Sequence, residues 1–303
     1  MLFKNYNINK NYNNIIMKIL YIDIYMHSKN NNALMNYKNI SFHRINNLNL
    51  NNINLNDFDC VYSPGKPIDV SLYPNTKFIF GPHFSVFPEL HQMNIINKSN
   101  SIYIQPSNWA ATIWKNSVYC KNIKIKSLPF GVETDKFNEI KQISDRHKVF
   151  IYCKRRDPNE FNLIKKFLND RNIEYKVFDY LERYNEHDYI TYLQNAKFGI
   201  WLDAHESQGF ALQEALSCNV PIFVWNVKSM KQEYGSKYAD IPATTIPYWD
   251  ERCGEFFYNA TELEGKFNLF LSKIDTYKPR EYILENLSMK VCEEKLIELI
   301  KNI

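Results

Sequence analysis

The sequence predicts an α/β protein with two Rossmann-like domains, each built on a parallel sheet, that face each other across a cleft. Apolar, strand-like segments alternate with helix-like segments in two separate runs along the 303 residues. Such alternation is typical of parallel sheets covered by helices on both faces. A charged, irregular segment at about residues 133–146 separates the two runs and indicates a linker. The length also favours two domains of ordinary size over one.

The amino-terminal run follows an asparagine-rich segment, residues 1–16, which we expect to be disordered. Residues 17–135 are expected to form the first domain. We assign no element between residues 29 and 57, where the pattern is poor, and we expect Ser107 to cap a short helix. The predicted strands are apolar runs bounded by Pro, Gly, Asn or Ser, at residues 18–25, 58–62, 77–80, 101–105 and 123–128.

The second run predicts a second domain at residues 136–279. Its strands are expected at residues 148–152, 174–178, 197–202 and 220–225, and its helices at residues 159–168, 186–194 and 209–217. A last helix, at about residues 280–302, is expected to pack back on the first domain as part of a terminal segment, residues 280–303. Its apolar stripe contains Ile283, Leu287, Val291, Ile297 and Ile300.

The composition disfavours several classes of function. The net charge is only +4 and no long Lys/Arg block occurs, so we expect no nucleic-acid partner. No apolar run is long enough for a transmembrane segment. The six cysteines lie far apart without a C-x-x-C pair, which argues against a zinc site or a disulfide framework and favours a cytoplasmic location. Neither G-x-G-x-x-G nor a P-loop motif is present, and we expect no metal and no cofactor.

The segment at residues 196–226 carries the most chemical information. A buried strand runs into a polar turn, and Gly209 then opens a helix that ends at Cys218-Asn219, where Asn can adopt the left-handed conformation. A loop after a parallel strand directs backbone N–H groups and a helix N-terminus at a ligand above the sheet, which suits a phosphate group. Gly209 would permit a close approach of the backbone.

Two glutamates belong to this segment. Glu206 lies in the turn and Glu214 lies in the helix, roughly 7 Å along its axis. The two side chains could therefore contact different parts of one extended ligand, and a carboxylate accepts hydrogen bonds from sugar hydroxyls. From these residues alone, a structural role for either glutamate stays open.

The same segment resembles the E-x(7)-E signature of the retaining GT-B glycosyltransferases of family 4. The run HESQGF at residues 205–210 precedes Glu214 and the run ALSCNVP at residues 215–221. The sequence departs from the family pattern at residues 207–208, 211 and 219. The resemblance implies that Glu206 contacts the donor sugar and Glu214 the nucleotide ribose. The helix start at Gly209, Phe210 and Ala211 is then expected to bind the donor diphosphate.

Two flanking motifs are similar to the same family. The run LPFGVETDKF at residues 128–137 resembles the family's domain junction. The run FIYCKRRDP at residues 150–158 resembles the G-R-L-x-P-x-K segment, whose Arg and Lys bind the diphosphate. Arg155 matches the Arg, but Glu160 lies near the place of the later Lys, so Lys154 or Arg156 is the expected substitute. The resemblance covers about residues 127–254.

Three further residues are candidates. His83 follows a predicted strand, and the family often has a His near the donor sugar at such a place, so the resemblance makes His83 a second catalytic candidate. Tyr180 and Tyr184 follow a strand of the second domain and are expected to border the nucleotide base of the donor. Ordinary packing roles stay open for all three.

The resemblance implies a glycosyltransferase that moves a hexosyl or related sugar from a nucleotide-diphosphate sugar to a glycan, glycoprotein or lipid acceptor, with retention. Three alternatives stay open at this point. They are a glycosidase that uses Glu206 and Glu214 as acid and base, a nucleotide-sugar epimerase of the same fold, and a catalytically inactive carbohydrate-binding or scaffold protein.

Overall fold

The computed structural model describes residues 16–182 and 184–303. Except for Ile16, the segment predicted to be disordered lies outside these residues. The described chain contains two parallel sheets, one of six strands and one of five, each with helices between its strands. The predicted fold class is therefore confirmed.

The first sheet has the strand order β2-β1-β3-β4-β5-β6. Its strands and the accompanying helices are β1 (Met17–Ile22), α1 (Ser28–Met35), β2 (Ile40–Ile45), β3 (Cys60–Ser63), β4 (Phe78–Phe80), α2 (Leu90–Ile96), β5 (Ser101–Gln105), α3 (Asn108–Lys115) and β6 (Ile125–Ser127). The elements α1 and β2 occupy the stretch in which the sequence pattern predicted none.

The second sheet has the strand order β11-β10-β9-β7-β8. The elements of this half are β7 (Lys148–Lys154), α4 (Pro158–Asn169), β8 (Lys176–Asp179), α5 (Glu186–Leu193), β9 (Ala196–Asp203), α6 (Phe210–Ser217), β10 (Ile222–Trp225), β11 (Gly254–Phe257), α7 (Leu263–Ser272), α8 (Pro279–Asn286) and α9 (Met289–Lys301). The elements β11 and α7 were not predicted.

The prediction of one last helix at residues 280–302 is wrong, because α8 and α9 are separate helices. The first of them ends at Asn286, and Ser288 caps the second, since its hydroxyl accepts a hydrogen bond from the N–H of Val291. A Ser at this position stabilises a helix start and so favours a break. The break also changes which residues of α9 face the core. Cys292 and Leu296 are buried, whereas Val291 and Ile297 of the predicted apolar stripe are only partly buried.

The helix α9 contacts the first sheet and its loops. The Glu293 carboxylate accepts a hydrogen bond from the side-chain amide of Asn39 at 3.1 Å. The Lys77 ammonium donates to the carbonyl of Ile300 at 2.8 Å. The domain boundaries at residues 135 and 279 stay predictions.

The two halves of the chain share one hydrophobic cluster, which includes Phe130 and Phe137 of the connecting segment. Both rings are fully buried. Arg146 at the end of this segment is also buried and donates to the carbonyl of Cys218 at 2.9 Å. The predicted linker is therefore packed into the protein, with buried side chains at several positions.

Some structural findings bear on partners and cofactors. No helix of the described chain combines the length and apolarity needed to cross a bilayer. Within residues 16–182 and 184–303, no group of three or more His, Cys, Asp or Glu side chains is placed to hold a metal ion. All six cysteines are buried and none forms a disulfide.

Candidate functional site

A cavity of about 1100 Å³ lies between the two sheets and receives residues from both halves of the chain. Ligands of open α/β sheets bind at the carboxyl ends of the strands, and residues that follow β4, β5, β7, β8 and β9 line this cavity. The structure brings all ten predicted site residues to its wall. They are His83, Lys154, Arg155, Tyr180, Tyr184, Glu206, Gly209, Phe210, Ala211 and Glu214.

The floor of the cavity contains the start of α6. Gly209 precedes the helix with φ 82° and ψ 46°, a left-handed conformation that disfavours other residues. A Cβ at Gly209 would meet Glu206 and Pro247 only at ordinary distances, 3.6 Å and 3.8 Å. Glycine is therefore required here by backbone conformation rather than by lack of space. Glycine has no side chain that could cap the helix, so the first backbone N–H groups of α6 are available to an acceptor in the cavity.

Glu206 forms an ion pair with Lys154, and the same ammonium lies 3.9 Å from the carboxylate of Asp203. The proximity follows from the sheet, because Lys154 ends β7, Asp203 ends β9 and the two residues pair in register. Burial and the neighbouring Glu206 charge raise the pKa of Asp203 well above its ordinary value. Burial opposes ionisation of Glu206, but the ammonium of Lys154 outweighs it and lowers the pKa of this carboxyl. The cluster therefore holds Glu206 and Lys154 charged and favours a protonated Asp203.

The loop that contains Glu206 is anchored by the first half of the chain. The indole N–H of Trp109, on α3, donates to the carbonyl of Glu206 at 2.8 Å. The amide of Gln208 donates to the carbonyl of Phe130 at 2.9 Å and accepts from its N–H at 3.1 Å. The position of Glu206 thus depends on both domains.

The three successive basic residues at the end of β7, Lys154, Arg155 and Arg156, have different environments. The side chain of Arg155 is 51% exposed and donates to Glu233 at 2.9 Å, with a positive φ of 50°. The Arg156 guanidinium is buried and donates to the carbonyls of Asp203 and Trp225 at 3.1 and 2.9 Å. The hydrogen bonds of Arg156 are thus made to the ends of β9 and β10, and a role of Lys154 in place of the missing Lys stays a prediction.

Glu214 is only 5% exposed and lies against a lysine of the first domain. The ammonium of Lys29, on α1, is 2.6 Å from the Glu214 carboxylate and 2.5 Å from that of Glu186. Burial raises the pKa of Glu214 to about 7, and Lys29 limits the rise. Burial opposes the charge of Lys29, but Glu214 and Glu186 outweigh it and raise its pKa.

His83 lies at the cavity wall among aromatic rings. Its ring contacts Tyr25 edge-on at 5.5 Å and stacks near His27 at 6.5 Å between centroids. Burial, aided by the charge of His27, lowers the pKa of His83 to about 4. Its buried Nε2 has no hydrogen-bond partner in the part of the chain that the structure describes. A neutral imidazole with an unpaired nitrogen can bind a ligand hydroxyl but carries no charge at neutral pH.

The two tyrosines contact protein groups as well as the cavity. The ring of Tyr180 lies 4.8 Å from the Lys154 ammonium, a cation–π distance. The Tyr184 ring packs against Phe178 and Tyr189, at 5.4 and 4.9 Å between centroids. Burial raises the pKa of Tyr184 to about 12. A contact of either ring with a base stays a prediction.

The sequence analysis missed several residues of the cavity wall. Lys29 and His27 lie in or beside the unassigned stretch, where no pattern marked them. Asp203 had a usable signal, because it directly follows a predicted strand and begins the turn that contains Glu206. Glu233 and Tyr238 belong to the long segment between β10 and β11, which offers no periodic signal.

No protein-family model and no curated protein sequence matches this chain. Solved structures match over most of its length. The lipopolysaccharide outer core galactosyltransferase WaaB matches with a TM-score of 0.51 and 13% identity, covering 94% of this chain and 99% of that one. The N-terminal domain of Candida albicans trehalose-6-phosphate phosphatase has a TM-score of 0.52 and 12% identity, covering 80% and 70%. Sucrose-phosphate synthase from Thermosynechococcus elongatus has a TM-score of 0.50 and 11% identity, covering 81% and 74%. These likenesses confirm the GT-B fold predicted for the chain.

Proposed function

We propose that this chain is a glycosyltransferase that moves a hexosyl or related sugar from a nucleotide-diphosphate sugar to a glycan, glycoprotein or lipid acceptor. One observation carries the proposal. The helix α6 starts without a side-chain cap at Gly209 in the floor of an interdomain cavity, with Lys154 and Arg155 at the same wall and a glutamate on each side of the helix start. This arrangement suits a diphosphate between a sugar and a ribose.

The leaving diphosphate must be stabilised as the bond between the anomeric carbon and the phosphate oxygen breaks and the acceptor oxygen takes its place. A helix N-terminus contributes at most about 2 kcal/mol to binding an anion. One charge-assisted hydrogen bond adds about 1.5–3 kcal/mol. The helix start therefore needs a cation beside it, and Lys154 and Arg155 supply two. Both are paired with carboxylates in the structure, Lys154 with Glu206 and Arg155 with Glu233, and the diphosphate would compete for them.

Glu206 is proposed to hold the donor sugar, and Glu214 the ribose. An ionised carboxylate accepts hydrogen bonds from two neighbouring hydroxyls, and the pKa of Glu206 is lowered despite its burial. His83, which is neutral, is proposed to bind a sugar hydroxyl through its unpaired Nε2. Retention of configuration rests on the resemblance of the E-x(7)-E segment. Independence from metal and cofactor, and a cytoplasmic location, are part of the proposal.

The alternatives differ in what they require of the cavity. A glycosidase needs two carboxyl groups that flank one bond, but Glu206 and Glu214 pair with separate lysines, Lys154 and Lys29. A nucleotide-sugar epimerase would act without an acceptor. An inactive carbohydrate-binding protein would not turn over a donor.

The test is the variant Glu206→Gln, which keeps the shape of the side chain and removes its charge. A thermal-shift screen with UDP-, GDP- and dTDP-sugars first selects the donor. Donor hydrolysis and transfer should then fall on the order of 10²-fold or more, as for loss of one transition-state contact. Binding of the bare nucleotide should survive. The matched control is Glu174→Gln at an exposed position of the same domain. Normal turnover by Glu206→Gln would remove Glu206 from the reaction.

A further inference from the structure

Lys29 crosses the cavity from the first domain to the donor domain. It lies in the first turn of α1, and its ammonium contacts the carboxylates of Glu214 on α6 and Glu186 on α5. The Glu186 carboxylate also forms an ion pair with the ammonium of Lys136 at 2.7 Å. Lys29 is therefore held by Glu186 independently of Glu214, and Glu186 is itself held by a second lysine.

We infer that Lys29 is a positioning residue of the donor site, which keeps the Glu214 carboxylate ionised and oriented for the two ribose hydroxyls. The inference rests on the proposed function, because it assigns the ribose to Glu214. It adds that the ribose end of the donor site is built from both domains. A donor domain without α1 would lack the cation that Glu214 contacts.

The need for a cation follows from the surroundings of Glu214. The side chain is almost completely buried, and burial disfavours its charged form. A protonated carboxyl has fewer acceptor sites and cannot accept from both hydroxyls of a ribose equally well. The titratable and charged groups that face Glu214 are Lys29 from α1, Lys136 from the connecting segment, Tyr184 before α5, Glu186 and Tyr189 from α5, and Cys218 after α6.

Among these groups in the described chain, Lys29 makes the direct hydrogen bond to Glu214. Lys136 has the same charge but contacts Glu186, and Glu186 itself opposes the ionisation of Glu214. Loss of Lys29 should therefore leave Glu214 buried beside another carboxylate, and its proton should be released only at a higher pH. Lys136 provides the matched control, because it is a lysine of the same network without that contact.

The experiment measures dissociation constants by calorimetry between pH 6 and pH 9. The probe is the nucleoside diphosphate, UDP or GDP, that stabilises the wild type more in thermal shift, together with its 2′,3′-dideoxy analogue. The analogue removes the ribose diol and corrects for titration of the phosphate, whose second pKa is about 6. At pH values below 7, the wild-type affinity for the ribonucleotide relative to the analogue should decrease, by up to about tenfold per pH unit.

Lys29→Met should move that midpoint upward by one pH unit or more, so that ribonucleotide binding at pH 7.5 weakens about threefold or more and recovers towards pH 9. Binding of the dideoxy analogue should not change, which also shows that the variant is folded. Lys29→Arg should restore the wild-type profile, and Lys136→Met should move the midpoint upward much less than Lys29→Met does, because Lys136 acts on Glu214 without a direct contact.

Two results would overturn the inference alone. One is a pH midpoint of ribonucleotide affinity that is the same in Lys29→Met as in the wild type. The other is an equal loss of affinity for the ribonucleotide and its dideoxy analogue in that variant. A wild type that binds none of UDP, GDP and dTDP would overturn the proposed function, and this inference with it. The two failures are therefore distinguishable.

Discussion

Replacing Glu214 with glutamine should remove a pH-dependent part of the folding stability of the empty protein. Burial raises the pKa of Glu214 to about 7, from an ordinary value of 4.5. One pKa unit corresponds to about 1.36 kcal/mol, so a rise of about 2.5 units corresponds to roughly 3 kcal/mol. Glutamine has nearly the same shape and cannot ionise.

The sign follows from proton binding. Between pH 4.5 and pH 7 the folded state retains the Glu214 proton while the unfolded state releases it. The free energy of unfolding of the wild type therefore falls as the pH rises through this window. This decrease in the free energy of unfolding is absent below about pH 4.5 and complete above about pH 7. The difference between Glu214→Gln and the wild type should thus grow by roughly 3 kcal/mol in favour of the variant between pH 4.5 and pH 8.

Urea unfolding at a series of pH values between 4.5 and 8, without nucleotide, measures this difference. The lost hydrogen bond to Lys29 adds an offset that is constant over this range, so the slope rather than the absolute value is diagnostic. Other titrating groups, such as Asp203, are present in both proteins and cancel. Glu174→Gln should give a flat difference curve. A flat curve for Glu214→Gln, or a slope of the opposite sign, would refute the burial argument.

Two further variants test the diphosphate site. Arg155→Ala should weaken nucleoside-diphosphate binding by roughly 1.5–3 kcal/mol, about tenfold or more, because a charge-assisted hydrogen bond is lost; an unchanged dissociation constant in calorimetry would exclude Arg155 from the diphosphate. Gly209→Ala should cost about 1–2 kcal/mol of folding stability, because φ is 82°, and should also weaken nucleotide binding through a displaced helix start. Gly235→Ala, where φ is 78° and a Cβ meets nothing within 4 Å, is the matched control with similar strain and unchanged nucleotide affinity; equal binding losses in both variants would contradict the role of the Gly209 turn.

The sequence predicts the three central strands of the second sheet, β7, β9 and β10, well because these strands are buried on both faces. Strands of this kind form nearly continuous apolar runs, as at residues 148–152 and 197–202, which lie within β7 and β9. The left-handed Asn219 that ends α6 was also predicted, and it has φ 58°. Local residue chemistry determines both features, so no knowledge of distant contacts is needed.

The same reasoning fails where an element has little apolar surface. The helix α1 (SKNNNALM) buries only Asn30, Ala33 and Leu34, and its asparagines give no apolar stripe. The strand β2 is at the edge of its sheet, and only its first residue, Ile40, is fully buried. Both elements are held by tertiary contacts rather than by local preference.

These two failures explain which part of the candidate site could be predicted. Glu206 and Lys154 follow adjacent strands of one sheet, so a correct strand assignment and the parallel register already place them together. Glu214 and Lys29 meet only because α1 faces α6 across the cavity, and nothing within either segment encodes that approach. At the sugar end of the proposed donor site, the approach of Lys154 and Glu206 is therefore set by the second sheet, and the first half of the chain anchors the Glu206 loop through Trp109 and Phe130. The ribose end depends on how the two domains meet, and for this reason Lys29 emerged only from the structure.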